Sequence, residues 1–278
     1  NCGYDIFNHA SADTVPNRDK SSGGFRTRRA VWRFWQKFPI YPQRRYISGT
    51  TCEQAISPHF GVGIDHNVTD NNLALGGSEI ILASASRTRR AMLEAAGVRF
   101  QIRPADIDED EIKRAMIAES ASATNIATDI ASALAEHKAR HVAPEFPGRL
   151  ILGSDQILQY AGGILSKPAD RAAALDQLKL LRAADHSLVS SARILLDGKR
   201  IWQGSDTAHL TMRNFSDDFA EAYLDVVGDI ALEGPGAYRI EGLGAQLFAD
   251  IKGCHFTILG LPLLALLDYL RARGALMT

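Results

Sequence analysis

Cysteine is nearly missing from this chain: three occur in 278 residues, Cys2, Cys52 and Cys254, far apart and never as CxxC. That excludes a disulfide scaffold and a thiolate zinc site, and it suits a reducing compartment. Long apolar runs are missing too. The longest, near Ile258–Leu267, is interrupted by Gly260 and Pro262 and is too short to span a bilayer. Neither sign of charge dominates; a formal net charge of −1 argues against nucleic acid or a membrane surface as the main partner. What is present, 46% hydrophobic and 23% charged residues, is the make-up of a soluble globular protein, expected in the cytoplasm.

Methionine is absent before Met92, and the first 78 residues differ from the rest. They are rich in Asn, Ser, Gly, Arg and aromatics and show no sustained period. Within them Phe25–Tyr46 is basic and aromatic, the composition of an arm for nucleic acid or membrane. The chain begins with Asn, and the expectation is that residues 1–78 are a disordered extension or a mis-assigned upstream segment, with one organised domain over 79–278.

The domain alternates short apolar runs with helical patterns. Ile80–Leu82 reads as a buried strand, and Ser86 as the N-cap of a helix from Arg87 to Ala96 closed by Gly97. A strand, a small-residue loop and a helix start make a common anion site, and Arg89 and Arg90 there make sense if a phosphate binds. Val98–Ile102 reads as a strand running into the acidic cluster Asp106–Glu111, a source of metal ligands or a solvated helix start. In the helix Thr128–Val142, Lys138 sits on the apolar stripe with Ile130, Leu134 and Val142.

Leu150–Pro168 is the central stretch. The apolar run Leu150–Leu152 leads through Gly153 and Ser154 to Asp155, turns at Ala161–Gly163 and returns to Lys167. A hairpin of this kind brings a carboxylate and an ammonium to one rim, chemistry suited to a polyphosphate or to a plain ion pair. Beyond it come a helix capped by Asp170, strands over His186–Leu196 and Lys199–Arg213 joined at Asp197–Gly198, and a helix from Ser216. The glycine-rich segment Glu233–Phe248 follows, then a strand over Ile251–Ile258 and a last helix, Leu261–Arg273. Tyr160, His186 and the other histidines lack any spacing of a site and read as structural or surface residues. The order is α/β: a mixed, twisted β-sheet flanked by helices.

The set LASASRTRR (82–90), GSDQ (153–156), SKP (166–168), GAYRIEGLGAQLF (236–248) and GLPL (260–263) resembles the Maf family of nucleoside triphosphate pyrophosphatases in order and spacing from Glu79 to about Gly274. The resemblance implies a Maf/inosine-triphosphatase-like fold of two lobes with a central cleft, often a homodimer. It implies hydrolysis of a nucleoside triphosphate to monophosphate and pyrophosphate, with Mg²⁺ or Mn²⁺. By motif it implies phosphate binding by Ser84 and Arg89 and catalysis by Asp155, Lys138 and Lys167. It also implies metal ligation by Asp155 and by Asp108, where members typically carry Glu. Gln156 and Glu241 match the branch that cleaves 7-methyl-GTP, and would read the base. Alternatives are the dTTP/UTP-cleaving branch, or a non-catalytic nucleotide-binding regulator of cell division.

Overall fold

The computed structural model describes residues 79–119 and 125–277. The segment 1–78, with its Phe25–Tyr46 patch, lies outside the described residues. The elements run β1 (Ile80–Leu82), α1 (Arg87–Ala95), β2 (Phe100–Ile102), α2 (Glu109–Glu119), α3 (Ile126–Val142), β3 (Leu150–Tyr160) and β4 (Gly163–Leu165). They continue with α4 (Arg171–Leu181), β5 (Asp185–Leu196), β6 (Lys199–Met212), α5 (Asp217–Val227), β7 (Phe248–Lys252), α6 (His255–Ile258) and α7 (Leu263–Ala272).

Seven strands form one mixed sheet in the order β2-β1-β3-β5-β6-β7, with β4 beside β3. The pairs of β1 with β2 and with β3 are parallel, and the others are antiparallel. This is the mixed α/β sheet expected from the hairpin signals between helices. Among the described residues no helix is long and apolar enough to cross a membrane.

On one face of the sheet, Leu150, Leu152 and Ile194 pack with Leu93 of α1 and Leu263, Leu266 and Leu270 of α7. Toward the other end of the same face, Leu158, Leu188 and Leu210 pack with Leu178 of α4 and Leu224 of α5. The opposite face is covered by α3, whose Ala139 and Val142 meet Ile81 and Ile151 while Ile130 and Leu134 meet Ile157 and Val189. Each face uses alternate residues of the same strands, as the pleat requires.

Mid-strand the apolar pattern stops. Ser154, Asp155 and Gln156 of β3 lie in register with Ala192, Ser191 and Ser190 of β5, and Ser190 and Ser191 with Asp206 and Ser205 of β6. A polar belt thus crosses the sheet between the apolar clusters. Ser154 donates to the Ser191 carbonyl at 2.9 Å, and Ser191 shares hydrogen bonds with Ser205 at 2.8 Å and Ser132 at 3.3 Å. Buried hydroxyls are tolerated because they are partnered.

One expected strand is a helix. Over Ile251–Ile258 only the start is extended; Gly253 takes φ +127° and the chain then coils into α6. A Cβ at Gly253 would lie 2.8 Å from the Ala208 Cα, so the strand ends where the backbone crosses β6 closely.

Gly153 sets how near α3 comes to β3. A Cβ there would sit 2.0 Å from the Ala135 carbonyl oxygen and 3.0 Å from the Ala139 Cβ. Gly153→Ala is expected to lower stability by about 2 kcal/mol, since neither neighbour is the end of a flexible side chain. Urea unfolding checks this, and an unchanged midpoint would mean that α3 is not seated on that glycine.

Candidate active site

The close approach of α3 to β3 places Lys138 over Asp155. Both side chains are buried, at 7% and 5% exposure, in a region where an unpaired charge would be expensive. Lys138 Nζ donates to Asp155 Oδ1 at 2.5 Å and lies 2.7 Å from Glu109 Oε1, so one ammonium holds two carboxylates. Burial works to raise the Glu109 carboxyl, but Lys138, with Lys113 and Lys167 behind it, more than offsets this and holds it below its ordinary value. Glu109 therefore stays ionised beside Asp155.

The acid that the 106–111 cluster brings to Lys138 is Glu109, where the sequence reading named Asp108. Asp108 is exposed, and its Oδ1 accepts from the Glu111 amide at 2.8 Å, capping α2. A helix that begins at Glu109 turns the capping residue outward and its first helical residue toward Lys138.

Arg89 comes from the first turn of α1, just past the loop from β1. Ser86 caps that helix through the Arg89 amide at 3.3 Å. The guanidinium folds inward, with Nε donating to the Gly260 carbonyl at 2.8 Å and Nη1 to Ser84 Oγ at 3.1 Å. Burial lowers its pKa, and the pull of Asp155 and Glu109 opposes that fall. Lys167 follows β4, whose pairing of Leu165 with Leu158 carries the chain back toward the level of Asp155; it is exposed and close enough to act on Glu109. Ser84, Arg89, Lys138, Asp155 and Lys167 are therefore brought together, with Glu109 added. Three cations face two carboxylates, a surplus suited to a polyanion.

Gln156 is not brought to this group. It alternates with Asp155 along β3, and its Nε2 is taken up by the carbonyls of Thr257 at 2.9 Å and Ile258 at 3.0 Å and by Ser190 Oγ at 3.2 Å. It is a strut under α6. Ser190 donates to the same Thr257 carbonyl at 2.7 Å, and the Thr257 hydroxyl to Asp206 at 2.5 Å. This anchoring fixes the turn that presents the Gly260 carbonyl to Arg89 and to Ser154 Oγ. Its carbonyl partners lie about a hundred residues away, so no sequence spacing could have shown it.

Glu241 lies in the glycine-rich segment, exposed, with Arg239 Nη2 3.2 Å from its Oε2. The segment is pinned from below. Gln177 accepts from the Gly236 amide at 2.9 Å, Tyr223 from the Arg239 amide at 3.3 Å, and Tyr238 shares a 2.7 Å hydrogen bond with His186 Nε2. Glu233, at its start, pairs with Arg87 of α1. His186 is buried with Nδ1 unpartnered.

Among the described residues no group of three or more His, Cys, Asp or Glu side chains converges as a metal cage. Asp155 and Glu109 are instead two hard oxygen donors on one cation, a set that fits Mg²⁺ or Mn²⁺, which commonly take few protein carboxylates and complete their shell with phosphate and water.

A family model described as Maf-like protein matches residues 79–273. The chain is 45% identical over 196 residues to a nucleoside triphosphate pyrophosphatase of Paramagnetospirillum magneticum, covering 70% of this chain and 99% of that protein. It is 48% identical over 197 residues to nucleoside triphosphate pyrophosphatase 1 of Jannaschia sp., covering 71% and 98%. It is 47% identical over 204 residues to a nucleoside triphosphate pyrophosphatase of Rhodopseudomonas palustris, covering 73% and 98%.

The His186 imidazole is pushed down to about 4, chiefly by burial, with Asp185 opposing. It stays neutral in the fold and gains its proton on unfolding, so its contribution is complete above about pH 6.5 and is lost as pH falls toward 4. Its full loss is worth about 3 kcal/mol at most. His186→Gln keeps a partner for Tyr238 and cannot titrate; urea unfolding at pH 7 and pH 4.5 should show a shallower fall than in the unaltered chain. An identical fall would remove His186 as the titrating group.

Proposed function

The chain belongs to the Maf-like family, and from that premise we propose that it is a nucleoside triphosphate pyrophosphatase that cleaves 7-methyl-GTP to 7-methyl-GMP and pyrophosphate. The observation that carries the reading is the Glu109–Lys138–Asp155 group under Arg89 and Lys167. Water attacks the α-phosphorus, the bond from that phosphorus to the bridging oxygen breaks, and pyrophosphate leaves with the electron pair. Asp155, freed from Lys138 as the ammonium turns to phosphate oxygen, accepts the proton of the attacking water. Lys138, Lys167 and Arg89 stabilise the charge that builds on the leaving oxygens, and Ser84 Oγ holds Arg89 in place. Asp155 and Glu109 are the residues that would hold Mg²⁺ or Mn²⁺, which supplies Lewis-acid polarisation of the phosphates.

For the base we propose Glu241. A carboxylate accepts from the N1–H and N2–H₂ edge of guanine and complements the positive charge that methylation adds at N7. Gln156 contributes through the α6 turn, since its amide nitrogen is already engaged. That engagement leaves Glu241 alone to discriminate and makes dTTP or UTP the second reading. The catalytic unit is residues 79–278, working in the cytoplasm as a homodimer.

The test is pyrophosphate release by the full chain from 7-methyl-GTP, GTP, UTP and dTTP with Mg²⁺ or Mn²⁺. Preference for 7-methyl-GTP supports the reading; preference for UTP or dTTP keeps the reaction and overturns the base assignment; no turnover on any of them overturns the enzyme. Asp155→Asn is expected to lower kcat by at least about a thousand-fold with the unfolding midpoint little changed. Glu109→Gln should lower turnover where Asp108→Asn does not, and equal losses would return the role to Asp108. Glu241→Gln should reduce kcat/KM for 7-methyl-GTP more than for the other nucleotides.

A further inference from the structure

On the flank of α3 facing away from Glu109, three residues one turn apart point along β5 and β6. Ser132 bonds Ser191, Glu136 pairs with Arg200, and Arg140 donates to the Gly198 carbonyl at 3.2 Å. Glu136 Oε1 also accepts from Arg140 Nη2 at 2.5 Å, and its Oε2 from Arg200 Nη1 at 2.7 Å. Beside them is Arg193 of β5, in register with Gly153 on one side and Gln203 on the other.

Arg193 is only 7% exposed. Its Nη1 donates to the Ala192 carbonyl at 2.9 Å and weakly to the Gly204 carbonyl at 3.4 Å, and its Nε has no partner. No carboxylate among the described residues forms an ion pair with it. Burial lowers its pKa, Arg200 repels it and Glu136 attracts it, so the three charges share one neighbourhood. Buried charges are ordinarily paired. Here one carboxylate serves three guanidinia and is already engaged by two of them, leaving an excess of two positive charges next to the exposed Ser205.

We propose that this shelf between α3 and β6 is a second anion site, which takes a phosphate group through Arg193, Arg200 and Arg140 with hydroxyl support from Ser205. Guanidinia suit the oxygens of phosphate, and the excess charge is what such an anion offsets. The phosphate is either free or carried by a nucleotide. The site stands apart from the Asp155 centre: Lys138 and Glu136 leave α3 on different flanks, so the argument does not rest on the function proposed above.

The experiment is calorimetric titration of the full chain with inorganic phosphate, and separately with UMP, without metal. The unaltered chain should bind phosphate, and Arg200→Ala should weaken that binding by about ten-fold, the loss of one charged hydrogen-bond partner. Arg193→Met, which keeps the buried length and removes the charge, should abolish the phosphate binding that depends on Arg200 while leaving the melting temperature unchanged or raised. Neither change should alter turnover. Binding of phosphate alone assigns the site to the free anion, and tighter binding of UMP that is equally sensitive to Arg200→Ala assigns it to a nucleotide phosphate. An isotherm for Arg200→Ala identical to that of the unaltered chain, or no phosphate binding to the unaltered chain, overturns the proposal. So does an Arg193→Met protein that melts much lower yet binds normally, because Arg193 would then be a structural residue.

Discussion

The candidate active site depends on how closely α3 can lie on β3. Gly153 gives that distance: with no side chain, the strand passes under Ala135 and Ala139 without a spacer. The next residue facing the helix is Asp155, and the next α3 residue over it is Lys138. A helix held farther out by one methyl group would leave an ammonium and a carboxylate buried and apart, each with the penalty of an unpaired charge. Packing and electrostatics are therefore one constraint. The glycine is needed for the pair, and the pair justifies having polar residues at that depth.

Around the pair, cations and acids are balanced by geometry more than by number. Lys138 pairs with Asp155 and Glu109 at once, while Arg89 is set by backbone and hydroxyl acceptors and Lys167 is exposed. Charges held by fixed acceptors need little reorganisation when a phosphate chain arrives, the usual basis of electrostatic catalysis. The α6 turn takes part through a carbonyl alone: Gly260 receives Arg89 and Ser154, and the turn is held by Gln156, Ser190 and Thr257. Side chains distant from the chemistry thus reach it through one backbone oxygen.

Much of this was legible in the sequence where a local rule was broken. Lys138 stood out because Lys on an apolar stripe needs an explanation, and Asp155 because it ends a buried run after two small residues. The element order followed from hairpin and capping signals. The place of Glu109 beside Lys138 was not legible for a different reason. Choosing it over Asp108 needs the first residue of α2, and a one-residue difference there exchanges a cap for an inward side chain. The α6 helix was missed because Gly253 reads equally well as a strand glycine until the close passage of β6 is known. The bracing of the α6 turn by Gln156 was not legible, because bonds from a side chain to distant backbone carbonyls leave no trace in spacing. The polar belt had a visible signature, Ser154–Gln156, Ser190–Ser191 and Ser205–Asp206 interrupting apolar strands, but only strand register aligns the three.

That belt makes the fold modular. Leu158, Leu188 and Leu210 on one side and Leu152, Ile194 and Leu266 on the other belong to separate apolar clusters, with hydroxyls and carboxylates between them. A void opened in one cluster has no packed neighbour through which to spread into the other, so core changes at opposite ends of the sheet combine as independent increments. Sequence drift can repack either end on its own. The seam between them is the part with no freedom to vary, because each of its side chains answers to a partner on another strand or helix.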